Sequence, residues 1–265
     1  MVENVKKIIA ETEYFLLDMD GTLYIGDELI GEMDATLNFL RERGKSIVYL
    51  TNNSSKSKQK YIEKLKKLNL WNDKDEVYTS GMATADYINL NFKGKRVYLV
   101  GTEALVEEFT ESGIMLVDDD PDICVLAFDT GLNYEKIEKF NKFISKGAYY
   151  IATHPDMTCP APEVFIPDVG SFIELFKGSS GLTPSLIVGK PYSIMGENLV
   201  KKYRSDKSKF AMVGDRLHTD ILFGNNCGFH SILVLSGEST LNDIDRLKIQ
   251  PEIILENFNK IKEFY

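Results

Sequence analysis

Short apolar runs alternate with amphipathic segments along most of this chain of 265 residues. The run 14–17 has the length of a strand and leads into a loop of Asp, Gly and Thr, and a second apolar run at 47–50 leads into a loop of Thr, Asn and Ser. The segments 34–43 and 58–68 carry apolar residues at helical spacing. Alternating strands and helices are typical of a parallel sheet covered by helices on both faces, so we predict a doubly wound α/β fold.

A second alternating set lies in the middle of the sequence and can form a separate α/β domain. Its predicted strands are 96–100, 123–128 and 149–153, and its predicted helices are 103–112 and 134–145.

The end of this middle set has the composition of loops and a linker. A proline-rich loop at 154–167 precedes a predicted helix at 170–176. The segment Gly178-Ser179-Ser180-Gly181 then follows, and we place a domain boundary there because Gly and Ser are typical of flexible linkers. The α/β pattern resumes with helices 194–203 and 219–226 and strands 210–213 and 231–235.

Charge and apolar content exclude several classes of protein. The chain has 40 acidic and 31 basic residues, a net charge of −9, which argues against sequence-independent binding to nucleic acid. Its longest uninterrupted apolar stretch, 123–128, is far shorter than the roughly 18 residues of a membrane span. The first 13 residues lack the apolar core of a secretory signal, and the three cysteines form no C-x-x-C pair. We therefore expect a cytoplasmic protein with reduced cysteines and neither nucleic-acid nor membrane partners.

Two carboxylates follow the first predicted strand. Asp18 and Asp20 lie two residues apart in Asp18-Met19-Asp20-Gly21-Thr22, and strand periodicity directs both to the edge where open α/β sheets bind ligands. Like charges this close are costly unless a cation or a proton separates their roles. A Mg²⁺ ion bound by one carboxylate and a general-acid role for the other would do so. The alternative is a solvated turn, in which Asp and Gly are also common.

Two further segments are candidates for phosphate binding. Thr51-Asn52-Asn53 follows the second predicted strand, where a hydroxyl and the N–H groups that enter a helix can cradle a phosphate, although such residues are also typical of an ordinary N-cap. Lys190 lies between Gly189 and Pro191, where its charge can neutralise phosphate oxygens, or it is an exposed loop lysine.

A fourth polar segment, 214–220, follows the predicted strand 210–213. In it, Asp215 is a candidate metal ligand, and Asp220 is a candidate partner that orients the lysine or the metal site. The ends of these strands line one edge of a doubly wound sheet. One phosphoryl-transfer site with a divalent metal accounts for all four segments.

The four segments together resemble the four motifs of the haloacid dehalogenase (HAD) superfamily. More narrowly, Thr51-Asn52-Asn53-Ser54, Gly189-Lys190-Pro191 and the Gly-Asp-x-x-x-Thr-Asp run at 214–220 are similar to the NagD-like phosphatases, a group that includes p-nitrophenyl phosphatases. The resemblance implies a Rossmann-like core, residues 1–79 plus 182–265, with an α/β cap domain inserted at 80–181.

The same resemblance implies a role for each motif residue. Asp18 would be the nucleophile that forms an aspartyl-phosphate, and Asp20 would act first as general acid and then as general base. Mg²⁺ would be held by the Asp18 side chain, the Asp20 carbonyl and Asp215. The phosphate would be bound by Thr51, Asn52, Asn53 and Lys190.

His154 and Asp156 are the candidate specificity residues in the cap. They lie in Thr153-His154-Pro155-Asp156, at the place where this group usually carries Asn-x-Asp, so that His stands where Asn is common. His154 is then a candidate contact to the leaving group, or else a surface residue of a loop.

The sequence therefore predicts a Mg²⁺-dependent phosphatase of small phosphate monoesters, such as sugar phosphates, p-nitrophenyl phosphate and related metabolites. A homodimer formed through the cap is a further expectation. The alternatives are a phosphotransferase or mutase on the same scaffold and a binding module that has lost catalysis. Dehalogenation is disfavoured, because it needs neither a metal nor an acid at Asp20.

Overall fold

The computed structural model describes residues 2–160 and 164–265, and the chain divides into two compact units. Unit 1 comprises Met1–Thr51, Lys58–Tyr78 and Lys190–Tyr265, and unit 2 comprises Asn52–Ser57 and Thr79–Gly189. Residues 52–57, 79 and 182–189 thus group with unit 2, whereas the predicted core included them. Assignment of the units as catalytic core and cap stays a prediction. Part of the predicted proline-rich loop, 161–163, lies outside the described residues.

The helices and strands follow one another along the chain as the alternating pattern predicts. The helices are α1 (Val2–Glu11), α2 (Met33–Glu42), α3 (Lys58–Lys67), α4 (Ser80–Asn91), α5 (Glu103–Glu111), α6 (Tyr134–Ser145), α7 (Val169–Ser180), α8 (Ile194–Tyr203), α9 (Leu222–Cys227) and α10 (Leu241–Leu247). The strands are β1 (Tyr14–Leu17), β2 (Tyr24–Ile25), β3 (Glu28–Leu29), β4 (Ser46–Thr51), β5 (Glu76–Thr79), β6 (Arg96–Val100), β7 (Met115–Leu116), β8 (Ile123–Leu126), β9 (Tyr149–Ala152), β10 (Thr158–Cys159), β11 (Ile166–Pro167), β12 (Leu186–Ile187), β13 (Phe210–Gly214), β14 (His230–Val234) and β15 (Ile253–Leu255). Short 3-10 segments lie at Lys207–Lys209 and Phe258–Phe264, and a π-helical turn lies at Leu217–Ile221.

Unit 1 is built around a sheet with the strand order β15-β14-β13-β1-β4-β5. The four pairs from β15 to β4 are parallel. Phe15 and Leu17 of β1 pack in an apolar cluster with α1, α2, α3 and the 3-10 segment Phe258–Phe264. On β14, Leu233 instead packs with Ile221 and Ile244 of α10 in a second cluster. Alternate residues of the buried strands thus serve different apolar layers, as strand periodicity requires.

Unit 2 contains a parallel sheet with the strand order β12-β9-β8-β6-β7. Its core joins Tyr98, Val100 and Leu126 of the sheet to Phe140 of α6 and Phe176 of α7. The predicted fold class, a doubly wound parallel α/β sheet with a further α/β set inserted in the chain, is confirmed.

Most predicted elements match the structure to within one or two residues, and α6 and α8 match at both ends. The predicted linker at 178–181 is wrong, because α7 continues through Ser180 and Gly181 ends it in a left-handed conformation. The Ser179 and Ser180 hydroxyls both donate to the Phe176 carbonyl, so these residues extend the helix instead of forming a flexible segment. The predicted helix 219–226 begins instead as the π-helical turn.

No helix in the described part of the chain is long and apolar enough to cross a membrane.

Candidate active site

Adjacent parallel strands of unit 1 bring the motif residues to one edge of its sheet. Strand β1 lies between β13 and β4, and the Asp18 N–H extends the ladder by donating to the Val213 carbonyl at 2.9 Å. Asp18 therefore begins the loop after β1, Asp215 begins the loop after β13, and Thr51 is the last residue of β4. This edge is where open α/β sheets bind ligands.

Lys190 is a buried cation that pairs with aspartates at this edge, and its side chain is 2% exposed. Its Nζ donates to Asp18 Oδ1 and to Asp220 Oδ1, both at 2.7 Å. Burying an ammonium group is costly unless it is paired, and two carboxylates satisfy that requirement here. Although burial acts against the charged form, Asp18 and Asp220 raise the pKa of Lys190 above its ordinary value, so the side chain is a fixed positive charge.

Asp220 is fully engaged with groups of the protein. Besides Lys190, its carboxylate accepts the Arg216 N–H at 3.1 Å within the π-helical turn. A side-chain carbon at Gly214 would overlap the Asp220 carboxylate, so only glycine at the end of β13 permits this approach. Asp220 therefore holds Lys190 in place and keeps the turn close to the strand.

Asp215 is held tightly but keeps one oxygen unsatisfied. Its Oδ2 accepts the Glu238 N–H at 2.7 Å, and side-chain carbons at Gly21 and Gly237 would collide with the carboxylate. Its Oδ1 is buried and has no hydrogen-bond partner among the described residues. A buried, unpartnered carboxylate oxygen calls for a cation, because leaving it bare costs the full desolvation penalty.

Burial and mutual repulsion perturb the acids of this cluster. Burial raises the pKa of Asp18 to about 6 even though Lys190 lowers it, and burial and the charge of Asp18 raise the pKa of Asp215 to about 6. Burial also raises the pKa of Asp220. The raised pKa values show that ionisation of these carboxyl groups is disfavoured here despite Lys190 and Arg216, so a divalent cation bound among them would relieve their repulsion.

The donor set suits such an ion. Carboxylate oxygens of Asp18, Asp215 and Asp220 lie within 4.8 Å of one another. Since Asp220 is bonded to Lys190 and Arg216, the oxygens best placed to hold a cation belong to Asp18 and Asp215. Oxygen ligands of this kind are what Mg²⁺ prefers.

The other predicted site residues are distributed over both units. Asp20 is exposed and its carboxylate is outside the three-carboxylate cluster. Asn52 and Asn53 belong to unit 2, although they follow Thr51 of unit 1 directly in the chain. His154 and Asp156 also belong to unit 2. His154 is completely buried, so the alternative prediction that it is a surface residue of a loop is wrong.

Several residues that shape these sites were missed from the sequence. Gly237 and Glu238 hold Asp215 although they lie more than 20 residues from it, after β14. Asp168 Oδ1 lies 3.4 Å from His154 Nε2. In the sequence, Asp168 is recognisable only as an N-cap residue before α7, which does not indicate a contact to His154. Contacts between residues this distant leave no periodic pattern in one sequence.

Comparison with known families gives two matches. Residues 15–115 match the model described as haloacid dehalogenase-like hydrolase, and residues 187–261 match a second model of HAD-like hydrolases. Together they cover most of unit 1 and parts of unit 2.

Curated relatives and solved structures are similar over nearly the full length. An acid sugar phosphatase of Staphylococcus aureus is 34% identical over 247 residues, which are 93% of this chain and 95% of that protein. The 4-nitrophenylphosphatase of Thermotoga maritima is 39% identical with a TM-score of 0.92, over 97% of this chain and 98% of that one. The p-nitrophenyl phosphatase of Archaeoglobus fulgidus is 28% identical with a TM-score of 0.89, over 96% and 99% of the two chains.

Proposed function

Because the chain belongs to the haloacid dehalogenase-like hydrolases, in their NagD-like group of phosphoric monoester hydrolases, we propose that it hydrolyses small phosphate monoesters with Asp18 as nucleophile and Mg²⁺ as cofactor. Sugar phosphates are the proposed natural class, which the acid sugar phosphatase relatives support. We propose p-nitrophenyl phosphate as a substrate for assays, in view of the nitrophenylphosphatase relatives.

The observation that carries this proposal is the arrangement around Asp18. Its side chain is 19% exposed, while Lys190, which contacts it at 2.7 Å, is almost completely buried. A nucleophile must reach a substrate, and the charge that stabilises the reacting phosphoryl group must be fixed in advance. Asp18 and Lys190 meet these two requirements.

In the first step, an Asp18 carboxylate oxygen attacks the phosphorus atom and the bond from phosphorus to the ester oxygen breaks. The ester oxygen leaves as an alcohol after it takes a proton from the Asp20 carboxyl group. Asp20 is exposed at the loop after β1, so its carboxyl can reach a leaving group that enters from solvent.

In the second step, Asp20, now a carboxylate, takes a proton from water as the water oxygen attacks the phosphorus of the aspartyl-phosphate. The bond from phosphorus to the Asp18 oxygen breaks, inorganic phosphate leaves, and both aspartates return to their starting states. Lys190 stabilises the charge on the phosphoryl oxygens in both steps.

Mg²⁺, held by the Asp18 and Asp215 side chains and the Asp20 carbonyl, would supply charge neutralisation for the phosphoryl oxygens. The unpartnered Oδ1 of Asp215 supports this ligand set. We further propose that Thr51, Asn52 and Asn53 join Lys190 in binding the phosphate, and that unit 2 serves as the cap. A cytoplasmic location and a homodimer through the cap stay predictions from the sequence.

The experiment is release of inorganic phosphate from p-nitrophenyl phosphate and a panel of sugar phosphates, with Mg²⁺, with EDTA and with the Asp18→Asn variant. We expect release that needs Mg²⁺ and disappears in the variant. Release that persists in Asp18→Asn would overturn the assigned nucleophile. Phosphate that appears only on an added alcohol acceptor, never on water, would overturn hydrolysis in favour of transfer.

A further inference from the structure

A buried chain of polar side chains in unit 2 ends on Asn52. The ring of His154 has no exposed surface and lies between two carboxylates. Its Nδ1 is 3.5 Å from Asp156 Oδ2, and its Nε2 is 3.4 Å from Asp168 Oδ1. Asp168 is itself buried, and its Oδ1 accepts the Val169 N–H at 2.7 Å as the N-cap of α7.

Asp156 connects this ring to the segment that follows β4. Both oxygens of Asp156 accept from Asn52 Nδ2, at 3.2 and 3.1 Å. The Asn52 carbonyl in turn accepts from the Ser80 hydroxyl, the first residue of α4. Asn52 is thus held by unit 2 through its side chain and its backbone, and it is only 6% exposed.

The backbone around this chain leaves little freedom to move. The Asp156 carbonyl accepts the Gly170 N–H at 2.8 Å, and a side-chain carbon at Gly170 would overlap the Pro155 carbonyl. A side-chain carbon at Gly189 would come within 2.7 Å of both Asn52 Oδ1 and His154 Cβ. Two glycines therefore permit the close packing of the His154 loop against α7 and against Asn52.

We propose that Asp156, oriented by His154 and Asp168, is a positioning residue that fixes Asn52 for phosphate binding. This inference rests on the proposed function, in which the backbone N–H of Asn52, the residue after Thr51, binds the substrate phosphate. His154 and Asp156 then act on every phosphate ester alike through Asn52, and not by touching the leaving group.

This role predicts which kinetic constants change. A phosphate contact is present in both the bound substrate and the transition state, so its loss raises KM more than it lowers kcat. The inhibition constant of inorganic phosphate should rise in parallel, because phosphate uses the same contact and has no leaving group. We expect increases of about 10-fold, inside the 10²-fold that a misplacement of about 1 Å can cost.

Three variants test the successive contacts that link Asn52, Asp156, His154 and Asp168. Asp156→Ala removes the acceptor of Asn52. His154→Asn places an amide nitrogen near the position of Nδ1 and can keep the contact to Asp156, whereas His154→Gln places it near the position of Nε2 and can keep only the contact to Asp168. We expect the rise in KM and in the phosphate inhibition constant to be largest for Asp156→Ala, clear for His154→Gln and smallest for His154→Asn.

Asp122→Asn is the matched control within unit 2. Asp122 accepts the Arg96 N–H where β6 begins, at the edge of the sheet opposite to the His154 loop, so its loss should leave the kinetic constants unchanged. Melting temperatures of all four variants show whether unit 2 remains folded.

The steady-state constants for p-nitrophenyl phosphate and a sugar phosphate, with competitive inhibition by inorganic phosphate, test the inference. A rise in KM for sugar phosphate with an unchanged phosphate inhibition constant would overturn it, since that pattern marks a contact to the leaving group. An unchanged KM with a lower kcat, or no order between His154→Gln and His154→Asn, would also overturn it. If the unmodified enzyme releases phosphate from no ester, the proposed function fails instead.

Discussion

Units 1 and 2 both place polar side chains at the carboxyl edge of a parallel sheet, but they satisfy these groups differently. In unit 1, Asp18 and Asp220 pair with Lys190, and the third aspartate of the cluster, Asp215, keeps an unpartnered oxygen within the described structure. In unit 2, the buried Asp129 has a lysine of its own, Lys136, at 2.6 Å, and its other oxygen accepts the Gly131 N–H at 2.8 Å.

Other polar groups at the edge of unit 2 bind the segment Asn52–Ser57. Ser54 Oγ bonds Thr153 Oγ1 at 3.2 Å and accepts the Phe128 N–H at 3.0 Å, and the Thr102 hydroxyl donates to the Ser55 carbonyl at 3.0 Å. One sheet edge thus carries uncompensated charge, and the other is filled by a segment of the protein itself. The position of a polar residue at a strand end is therefore a weaker sign of chemistry than the charge left unsatisfied there.

The largest expected effect is a loss of kcat that distinguishes the Asp18–Lys190 pair of unit 1 from the Asp129–Lys136 pair of unit 2. Asp18→Asn removes the proposed nucleophile, and we expect kcat to fall by about 10⁴-fold or more, as for other covalent catalysts. Asp129→Asn breaks the comparable pair in unit 2 and should change kcat by less than about threefold, because no reacting group is lost.

Phosphate release with saturating Mg²⁺ measures both variants, and circular dichroism checks that each is folded. A similar loss of kcat in the two variants would remove the distinction between the two sheet edges.

The second prediction concerns a buried acid of unit 2. Burial raises the pKa of Asp168 from 3.8 to about 7. The hydrogen bond from the Val169 N–H lowers this pKa, and the charge of Asp156 raises it by a smaller amount. Since the folded protein favours the neutral form, this group contributes stability below pH 4 that is lost as the pH rises to 7. Each pKa unit corresponds to about 1.4 kcal/mol, so the loss is on the order of 4 kcal/mol at most.

Asp168→Asn cannot ionise and should not show this loss. Urea unfolding between pH 4 and pH 8 measures the difference in unfolding free energy between the variant and the unmodified protein. We expect the variant to gain stability relative to the unmodified protein as the pH rises. A difference that stays constant with pH would show that Asp168 has an ordinary pKa.

Much of the fold was predictable, because buried strands and amphipathic helices leave local patterns. The helices α6 and α8 have apolar residues at regular spacing, and both ends of each were predicted. Helix α4 was missed because its buried face consists largely of small residues such as Gly81, Ala83 and Ala85, which give no amphipathic stripe. The glycine and serines at the end of α7 suggested a linker for a similar reason, since composition does not show hydrogen bonds back to the helix.

The candidate site was predictable for the most part. Asp18, Asp215, Asp220 and Lys190 are candidates from sequence, and they lie together in unit 1. The expectation that all four preceding strands line one sheet edge is wrong for Lys190, because the strand before it, β12, pairs with β9 in the sheet of unit 2. The sequence suggested Asp220 as a partner of Lys190, but it did not indicate that Lys190 also pairs with Asp18, nor that Gly237 borders Asp215. These features depend on contacts between separate loops, which only the folded chain defines.

The third prediction tests the unpartnered oxygen of Asp215. Asp215→Asn can keep the bond from the Glu238 N–H but loses the charge that would hold Mg²⁺. We expect the Mg²⁺ concentration for half-maximal activity to rise by about 10- to 100-fold. Calorimetric titration of the substrate-free protein with Mg²⁺ gives an independent measure. An unchanged Mg²⁺ requirement would mean that other groups hold the ion.

The smallest expected effect compares two tightly packed glycines, one in each unit. A side-chain carbon at Gly237 would overlap the Asp215 carboxylate in unit 1, and one at Gly170 would overlap the Pro155 carbonyl in unit 2. Overpacking of this kind typically lowers the free energy of unfolding by about 1–3 kcal/mol.

The two substitutions should differ in their effect on Mg²⁺ binding. Gly237→Ala presses on the Asp215 carboxylate, which should bind Mg²⁺, so we expect it to weaken Mg²⁺ binding as well. Gly170→Ala presses on the backbone beside Asp156, so it should leave Mg²⁺ binding unchanged and raise KM. Urea unfolding and Mg²⁺ titration of both variants distinguish the two outcomes, and equal effects on Mg²⁺ binding would contradict the assignment of the metal site to unit 1 alone.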